Sequence, residues 1–203
     1  MRIAQIICSF PPYKGGMGNS VYHFSRELAL LGHNITVFTP RYPRRADLPE
    51  SDPTDIEVVR LKPLVSSGNA AILPQLLWRL KGFDVIHLHY PFYGSAGLVA
   101  LGRLFRPSTK LILFYHMDTR ATGVKGLVFR AYRLLVLPLV LGLAEQITCS
   151  TFDHVMNSGT GGYCDRHPGK FSNARKTWVL REERRRERDD DRGQPDRLPH
   201  LRQ

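Results

Sequence analysis

The sequence is poor in cysteine and has no long apolar run. Its three cysteines are far apart and form no Cys-x-x-Cys pair: Cys8, Cys149 and Cys164. This spacing excludes a disulfide-stapled mini-protein and a cysteine-based zinc site, and it favours a reducing compartment. The longest apolar stretch covers only residues 134–144, whereas a membrane-spanning helix needs about 20 apolar residues. We therefore expect a protein that is soluble or lies on a membrane surface.

Acidic residues are outnumbered by basic ones, and large apolar residues become scarce near the end of the chain. The 203 residues include 29 Lys and Arg against 18 Asp and Glu, which gives a net charge of +11. Residues 159–203 contain only five Leu, Ile, Val or Phe, too few for a core of their own. We predict one folded domain over residues 1–158 and a disordered, Arg- and Asp-rich tail over residues 159–203.

Short β-branched runs alternate with amphipathic segments along the first 158 residues. We predict strands at residues 3–8, 35–38, 56–61, 85–88, 110–115 and 145–149, and helices from a cap at Asn19 or Ser20 to Gly32 and at residues 70–80, 95–105 and 125–142. This alternation is typical of an α/β fold, a parallel sheet with helices on both faces. Such sheets bind ligands beyond the carboxyl ends of their strands, so loops 10–19, 89–94 and 116–123 form the candidate site.

The loop after the first predicted strand is rich in glycine and opens a helix. Its candidate binding residues are Lys14, Gly15, Gly16 and Gly18. Glycine lets the backbone approach a ligand closely, and free N–H groups at a helix start favour an anion such as a diphosphate. The dinucleotide-binding pattern Gly-x-Gly-x-x-Gly is absent, because Val21 stands where its last glycine belongs. A tight turn that binds nothing is the alternative.

Histidines follow two of the predicted strands. His87 and His89 face the same side of their strand, but no third ligand has a suitable spacing, so we predict no metal site. We expect one of the two to be packed and the other, with Tyr90, to face the cleft. His116 has Asp118 nearby, and such a pair can act as an acid, a base or an oriented hydrogen-bond donor. A purely structural histidine is the alternative.

The last long predicted helix combines basic and apolar residues. Arg130 and Arg133 precede a broad apolar surface that extends to Leu143. Most such helices are buried core, while a minority dock on anionic membrane surfaces. The arginine run at residues 184–186 is of a kind that can bind RNA or acidic lipids. Acidic residues are interleaved with the arginines around this run, and Trp178 is the single aromatic residue nearby. We therefore do not expect nucleic-acid binding.

Several segments resemble the N-terminal half of the group 1 (family four) glycosyltransferases, which are retaining enzymes of the GT-B architecture. They are Ile-Ala-Gln-Ile at 3–6, Phe-Pro-Pro-Tyr-Lys-Gly-Gly-Met-Gly at 10–18, Leu-Gly-His-Asn-Ile-Thr-Val at 31–37, Asp-Val-Ile-His-Leu-His at 84–89 and Ala-Glu-Gln-Ile-Thr-Cys-Ser at 144–150. The resemblance extends over about residues 1–158 and is most specific in the first loop and its helix. It implies a Rossmann-like domain, one half of a GT-B fold, that binds the acceptor.

The resemblance also implies roles for single residues. Gly15, Gly16 and Gly18 would approach the diphosphate of a nucleotide-sugar donor, and His116 would be the catalytic histidine that donates a hydrogen bond to the donor sugar. The acceptor, a glycan or a lipid-linked compound, would contact Lys14, His89, Tyr90 and Asp118. The resemblance implies no cofactor and no metal. It implies a cytoplasmic protein, peripheral at the inner face of the membrane.

The sequence departs from the family after about residue 158. The second Rossmann-like domain, with its nucleotide pocket and Glu-x7-Glu pair, does not follow. We therefore expect a truncated chain that supplies the acceptor half and is inactive alone, with the reading frame lost between about residues 158 and 172. An authentic tail is the competing explanation. Two other functions stay open: a non-catalytic glycan- or lipid-binding module, and a half-enzyme completed by a partner chain.

Overall fold

Seven strands form the central sheet of the protein in the computed structural model, which describes residues 1–13, 15–42, 56–119 and 121–173. In chain order the strands are β1 (Arg2–Ile6), β2 (Asn34–Pro40), β3 (Glu57–Leu61), β4 (Val65–Ser67), β5 (Ala70–Ile72), β6 (Val85–Tyr90), β7 (Lys110–Tyr115), β8 (Gln146–Cys149) and β9 (Phe171–Asn173). The sheet has the order β3-β2-β1-β6-β7-β8-β9, and all its pairs are parallel. Strands β4 and β5 form a separate antiparallel hairpin.

Helices cover both faces of this sheet. They are α1 (Gly16–Leu30), α2 (Leu76–Arg79), α3 (Ala96–Leu104), α4 (Gly123–Leu143), α5 (Phe152–Met156) and α6 (Gly161–Arg166), with a short 3₁₀ helix at Pro168–Lys170. On one face, Val21 of α1 packs in a core with Ile3 and Ile35. On the other face, a larger core includes Val99 of α3 and Val140 of α4. The predicted fold, a Rossmann-like parallel sheet with helices on both faces, is confirmed.

Strand β6 lies in the middle of the sheet, between β1 and β7, and all of its residues are buried. Its side chains alternate between the two faces. His87 lies on the α1 side, where its ring centroid is 5.2 Å from that of Phe24. Leu88 and Tyr90 belong to the larger core on the opposite side. Successive residues of this strand therefore lie on opposite faces of the sheet and contact different helices and cores.

The predicted helix at residues 70–80 is wrong. Strand β5 occupies its beginning, and only the four residues of α2 are helical. Pro74 explains the break, because proline lacks an N–H and disfavours the helical conformation in the residue before it. The hairpin is instead tied to the loop after β6, where the Ser95 hydroxyl donates to the Ala71 carbonyl at 2.7 Å.

The fold continues past the predicted domain boundary at Ser158. Helix α6 follows, and β9 pairs in parallel with β8 at the edge of the sheet. Cys164 and Phe171 are buried in the larger core, so residues 159–173 belong to the fold instead of to a disordered tail. Few apolar residues suffice there, because they extend an existing sheet. Helices and a strand continue through residues 158–172, where the sequence predicts the loss of the reading frame. The rest of the predicted tail, residues 174–203, lies outside the described residues.

Helix α4 is the one helix in the described ranges that is long and apolar enough to cross a membrane, judged by length and composition. One side packs on the sheet through Leu137, Val140 and Leu141. Only 17% of its most apolar window is buried, however. Six large apolar side chains are exposed along it: Val124, Leu127, Val128, Leu134, Leu135 and Leu139. The helix thus has two apolar sides, of which the sheet covers one.

Candidate functional site

The carboxyl ends of β1, β6 and β7 meet at one edge of the sheet, because these three strands are adjacent and parallel. Ligands of open α/β sheets bind at this edge. The glycine loop leaves it after β1, and the loop with His116 and Asp118 leaves it after β7. The backbone N–H of His116 donates to the Tyr90 carbonyl at 2.9 Å, which fixes the β7 loop against the end of β6.

The glycine loop leads directly into α1, which begins at Gly16, earlier than predicted. Gly18 is buried, and a Cβ atom there would lie 2.7 Å from the carbonyl oxygen of Ser9. Close packing therefore accounts for this glycine. Gly15 and Gly16 are exposed, and a Cβ atom on Gly16 would meet nothing within 4 Å. No side chain in the described part of the chain caps the helix, so its first-turn N–H groups are available to an anion. Lys14 lies outside the described residues.

A chain of hydrogen bonds runs along the α1 face of the sheet to His116. The Oε1 atom of Gln5 is 2.8 Å from Nε2 of His89, and Nδ1 of His89 is 3.0 Å from Nε2 of His116. With the Gln5 amide in this orientation, its carbonyl oxygen accepts from the Nε2–H of His89, which then accepts through Nδ1 from the Nε2–H of His116. A neutral His116 then has a bare Nδ1, which is a hydrogen-bond acceptor. In this tautomer His116 offers a ligand an acceptor, whereas the resemblance implies a donor, and its role stays a prediction.

Burial keeps the three neighbouring histidines neutral. It lowers the pKa of His116 to about 4 and is the main reason why the pKa of His87 falls to about 3. The pKa of His89 is lowered by burial first and then by the two other rings. The unfolded chain takes up protons on these rings near pH 6.5, whereas the folded chain does not. Their stabilising contribution is therefore present above about pH 6.5 and is lost as the pH falls toward about 4.

His89 and Tyr90 do not form one acceptor surface, because successive residues of a strand point to opposite faces. His89 is 1% exposed, and its ring centroid lies 4.5 Å from that of His87 and 5.7 Å from that of Phe114. The expectation that one of the two β6 histidines faces the cleft is wrong, since both are packed. His89 can influence a ligand only through His116.

A cavity of about 420 Å³ lies on the other side of the edge, between the ends of β6 and β7 and the first turns of α4. Its lining includes Tyr90, Tyr93, Asp118, Phe129, Arg130 and Arg133. The rings of Tyr93 and Phe129 stack with centroids 4.3 Å apart. Asp118 accepts a hydrogen bond from the Tyr115 hydroxyl at Oδ1 and one from the Gly159 N–H, 2.7 Å away, at Oδ2. Of the predicted acceptor residues, Tyr90 and Asp118 meet here.

Three residues of the site are not among the predicted site residues: Gln5, Tyr93 and Phe129, although Tyr93 lies in the predicted loop 89–94. Gln5 is the one amide in an otherwise apolar strand start, Ile-Ala-Gln-Ile-Ile, and a polar residue in such a run signals a buried partner. The two rings have no comparable signal, because their stacking depends on how α4 meets the β6 loop. Within the described ranges, no group of three or more His, Cys, Asp or Glu is arranged to hold a metal ion.

The model of one protein family matches this sequence over residues 14–155, more than half of the chain, and its description is Glycosyltransferase Family 4. The chain belongs to glycosyltransferase family 4. The matched residues of this family 4 domain include the glycine-loop residues, the ends of β6 and β7 and the whole of α4. A comparison with curated proteins finds no significant match.

Two solved structures share the fold of this family 4 domain. Sucrose-phosphate synthase from Thermosynechococcus elongatus is 18% identical, with a TM-score of 0.54 over 76% of this chain and 44% of that one. The catalytic domain of starch synthase IV from Arabidopsis thaliana, bound to ADP and acarbose, is 15% identical, with a TM-score of 0.58 over 85% and 50%. The chain therefore spans half or less of these neighbours. Together with the family match, they identify an N-terminal, Rossmann-like GT-B glycosyltransferase domain.

Replacing Gly18 by alanine should destabilise this family 4 domain, whereas replacing Gly16 should not. The new methyl group at position 18 would meet backbone atoms of Ser9 and Phe10, and overpacking of this kind costs about 1–3 kcal/mol. Position 16 has open space. Urea unfolding followed by circular dichroism measures both changes against the unsubstituted chain. Equal losses of stability in the two variants would contradict the assigned packing of the loop.

Proposed function

We propose that this chain takes part in glycosyl transfer from a nucleotide-sugar to a hydroxyl group of a glycan or lipid-linked acceptor, with retention of the anomeric configuration. The observation that carries the proposal is the placement of His116. Its half-buried ring stands at the carboxyl edge, oriented by His89, on the sheet face that α1 covers. An anion-accepting helix start and an oriented histidine therefore share one edge and one face. Membership of family 4 supports glycosyl transfer in general.

In this proposal His116 positions the donor sugar by accepting a hydrogen bond from one of its hydroxyl groups at Nδ1. Its pKa of about 4 keeps the ring uncharged at neutral pH, so it does not serve as a general acid there. The exposed amides around Gly15 and Gly16 offset the charge of the departing diphosphate. We propose front-face transfer without a protein nucleophile, and without a cofactor or metal.

We further propose that the chain contributes the acceptor half of the enzyme. It spans half or less of its structural neighbours, and the residues that the structure describes form one Rossmann-like sheet. The nucleotide pocket would then lie on a following segment or on a partner chain, and the 203 residues alone would not turn over a nucleotide-sugar. A non-catalytic glycan- or lipid-binding module is the alternative, which binding of such a ligand without nucleotide affinity would favour.

A turnover assay tests the proposed function. The purified chain is incubated with UDP-, GDP- and ADP-sugars, alone and together with the polypeptides encoded after codon 203 in each frame, and released nucleoside diphosphate is measured. We expect turnover only in a combined sample. In that sample His116→Ala should lower kcat/KM by about tenfold, the effect of losing one hydrogen bond to the sugar, while His23→Ala, a change at an exposed position of α1, should have little effect.

Two results would contradict the proposal in different ways. Turnover by the 203 residues alone would refute the half-enzyme. Turnover that His116→Ala and His23→Ala leave equally unchanged would refute the role of His116.

We also propose that α4 docks on the surface of an anionic membrane at its cytoplasmic side. Six large apolar side chains are exposed along the helix, and Lys125 is exposed in its first turn. Apolar residues can enter the headgroup region while basic residues attract anionic lipids. Lys125 and the net charge of +11 give the protein the charge that such a membrane complements.

Vesicle binding tests the docking surface. The double variant Leu127→Gln/Leu135→Gln should weaken sedimentation with vesicles of phosphatidylglycerol and phosphatidylcholine by about tenfold, because it removes apolar area that enters the interface. Leu30→Gln/Leu31→Gln, equally polar but at the end of α1 on the other face, is the matched control. Equal binding by both double variants would show that α4 is not the docking element.

A further inference from the structure

We infer that the cavity beside α4 recognises an anionic group of the phosphate type on the acceptor, together with a hydroxylated ring. The inference deepens the proposed function and rests on it, because it names the class of acceptor. It assigns Arg130 and Arg133 to the anion, Asp118 to a hydroxyl group, and the stacked rings of Tyr93 and Phe129 to the apolar face of the acceptor ring. Arg130 and Arg133 belong to no motif of the predicted site.

The helix itself brings the two arginines to the cavity. Gly126, Phe129, Arg130 and Arg133 have the spacing of one helical face, and all four line the cavity. Leu137, Val140 and Leu141, which pack on the sheet, continue the same face at i+4 and i+3 spacing. The inner face of α4 therefore lines the cavity in its first turns and packs on the sheet in its second half.

The charges of this lining favour an anion. Neither Arg130 nor Arg133 makes a hydrogen bond or an ion pair with any residue that the structure describes, whereas Arg103 on α3 is paired with Glu145 at 3.5 Å. The one acidic group of the lining, Asp118, already accepts from Tyr115 and from Gly159. The cavity thus contains two guanidinium groups and one carboxylate, and that carboxylate already accepts hydrogen bonds from other groups. Guanidinium groups bind phosphate and carboxylate oxygens through paired hydrogen bonds.

The neutral part of the cavity suits a sugar-like ring. The stacked pair of Tyr93 and Phe129 offers an aromatic wall, and the oxygens of Asp118 have further lone pairs that can accept from hydroxyl groups. A volume of about 420 Å³ falls within the range of small-molecule sites and leaves room for a ring that carries one anionic group. An uncharged oligosaccharide would leave both arginines without a partner.

Binding to the intact 203-residue chain tests the inference without donor or turnover. Glucose 6-phosphate, glucose and inorganic phosphate serve as soluble probes in calorimetry, and vesicles with phosphatidic acid serve as the lipid probe. We expect glucose 6-phosphate to bind at least about tenfold more tightly than glucose, because a charge-assisted contact contributes more than about 1.4 kcal/mol. Arg130→Gln and Arg133→Gln should each weaken this binding by about tenfold. Arg79→Gln, which removes a charge from an exposed position of α2 outside the cavity lining, should not.

The arms of the experiment separate the outcomes. Binding of phosphatidic acid vesicles that depends on Arg130 and Arg133, with no binding of the soluble phosphates, would support the site and identify a lipid headgroup as the source of the anion. Equal effects of Arg133→Gln and Arg79→Gln would overturn the inference, as would binding of no anionic probe. Anion binding that persists while no combined sample turns over nucleotide-sugar would uphold the site and refute the proposed enzyme.

Discussion

The alternation of side chains along β6, a strand buried on both faces, determines the whole site. Its parallel pairing with β1 and β7 brings three loops to one edge, and its period of two residues divides their side chains between two faces. His87 and His89 enter the α1 side together with Gln5, while Tyr90 enters the α4 side. A one-residue slip of this strand would exchange the two sets. The register of β6 therefore determines both the position of the histidine chain and the position of the arginine-lined cavity.

The α1 side of the edge combines polar groups with an apolar setting. Gln5, His87 and His89 are buried, and both Nε2 of Gln5 and Nε2 of His87 have no hydrogen-bond partner among the described residues. A buried polar atom without a partner costs about 1–3 kcal/mol. Such a cost is typical of a functional site rather than of a core selected for stability alone. These buried groups hold His116 uncharged, and its ring cannot rotate without losing its hydrogen bond to His89.

The sequence predicts the architecture better than the site. Alternating β-branched and amphipathic segments identify the α/β fold, but Pro74 interrupts a segment whose apolar spacing resembles a helix, and β9 joins the sheet through so few apolar residues that composition assigns it to a tail. The glycine loop, His116 and Asp118 follow strands and are therefore identifiable by position. The burial of His89 depends on its neighbours Gln5 and Phe114 across the sheet, and the cavity depends on the angle at which α4 meets the β6 loop. Neither relation is local in the sequence.

The tautomer of His116 tests the account most directly. Nitrogen-15 NMR of the histidine rings, recorded from pH 7.5 down to pH 4.5, distinguishes Nε2–H from Nδ1–H and charged from neutral rings. The hydrogen bonds to Gln5 and His89 predict a neutral Nε2–H ring for His116 across most of this range, because its pKa is about 4, while the exposed ring of His23 serves as an internal reference. An Nδ1–H ring would mean that the Gln5 amide is reversed and that His116 offers a donor. Protonation near pH 6.5 would mean that the buried chain does not form, and would contradict the account.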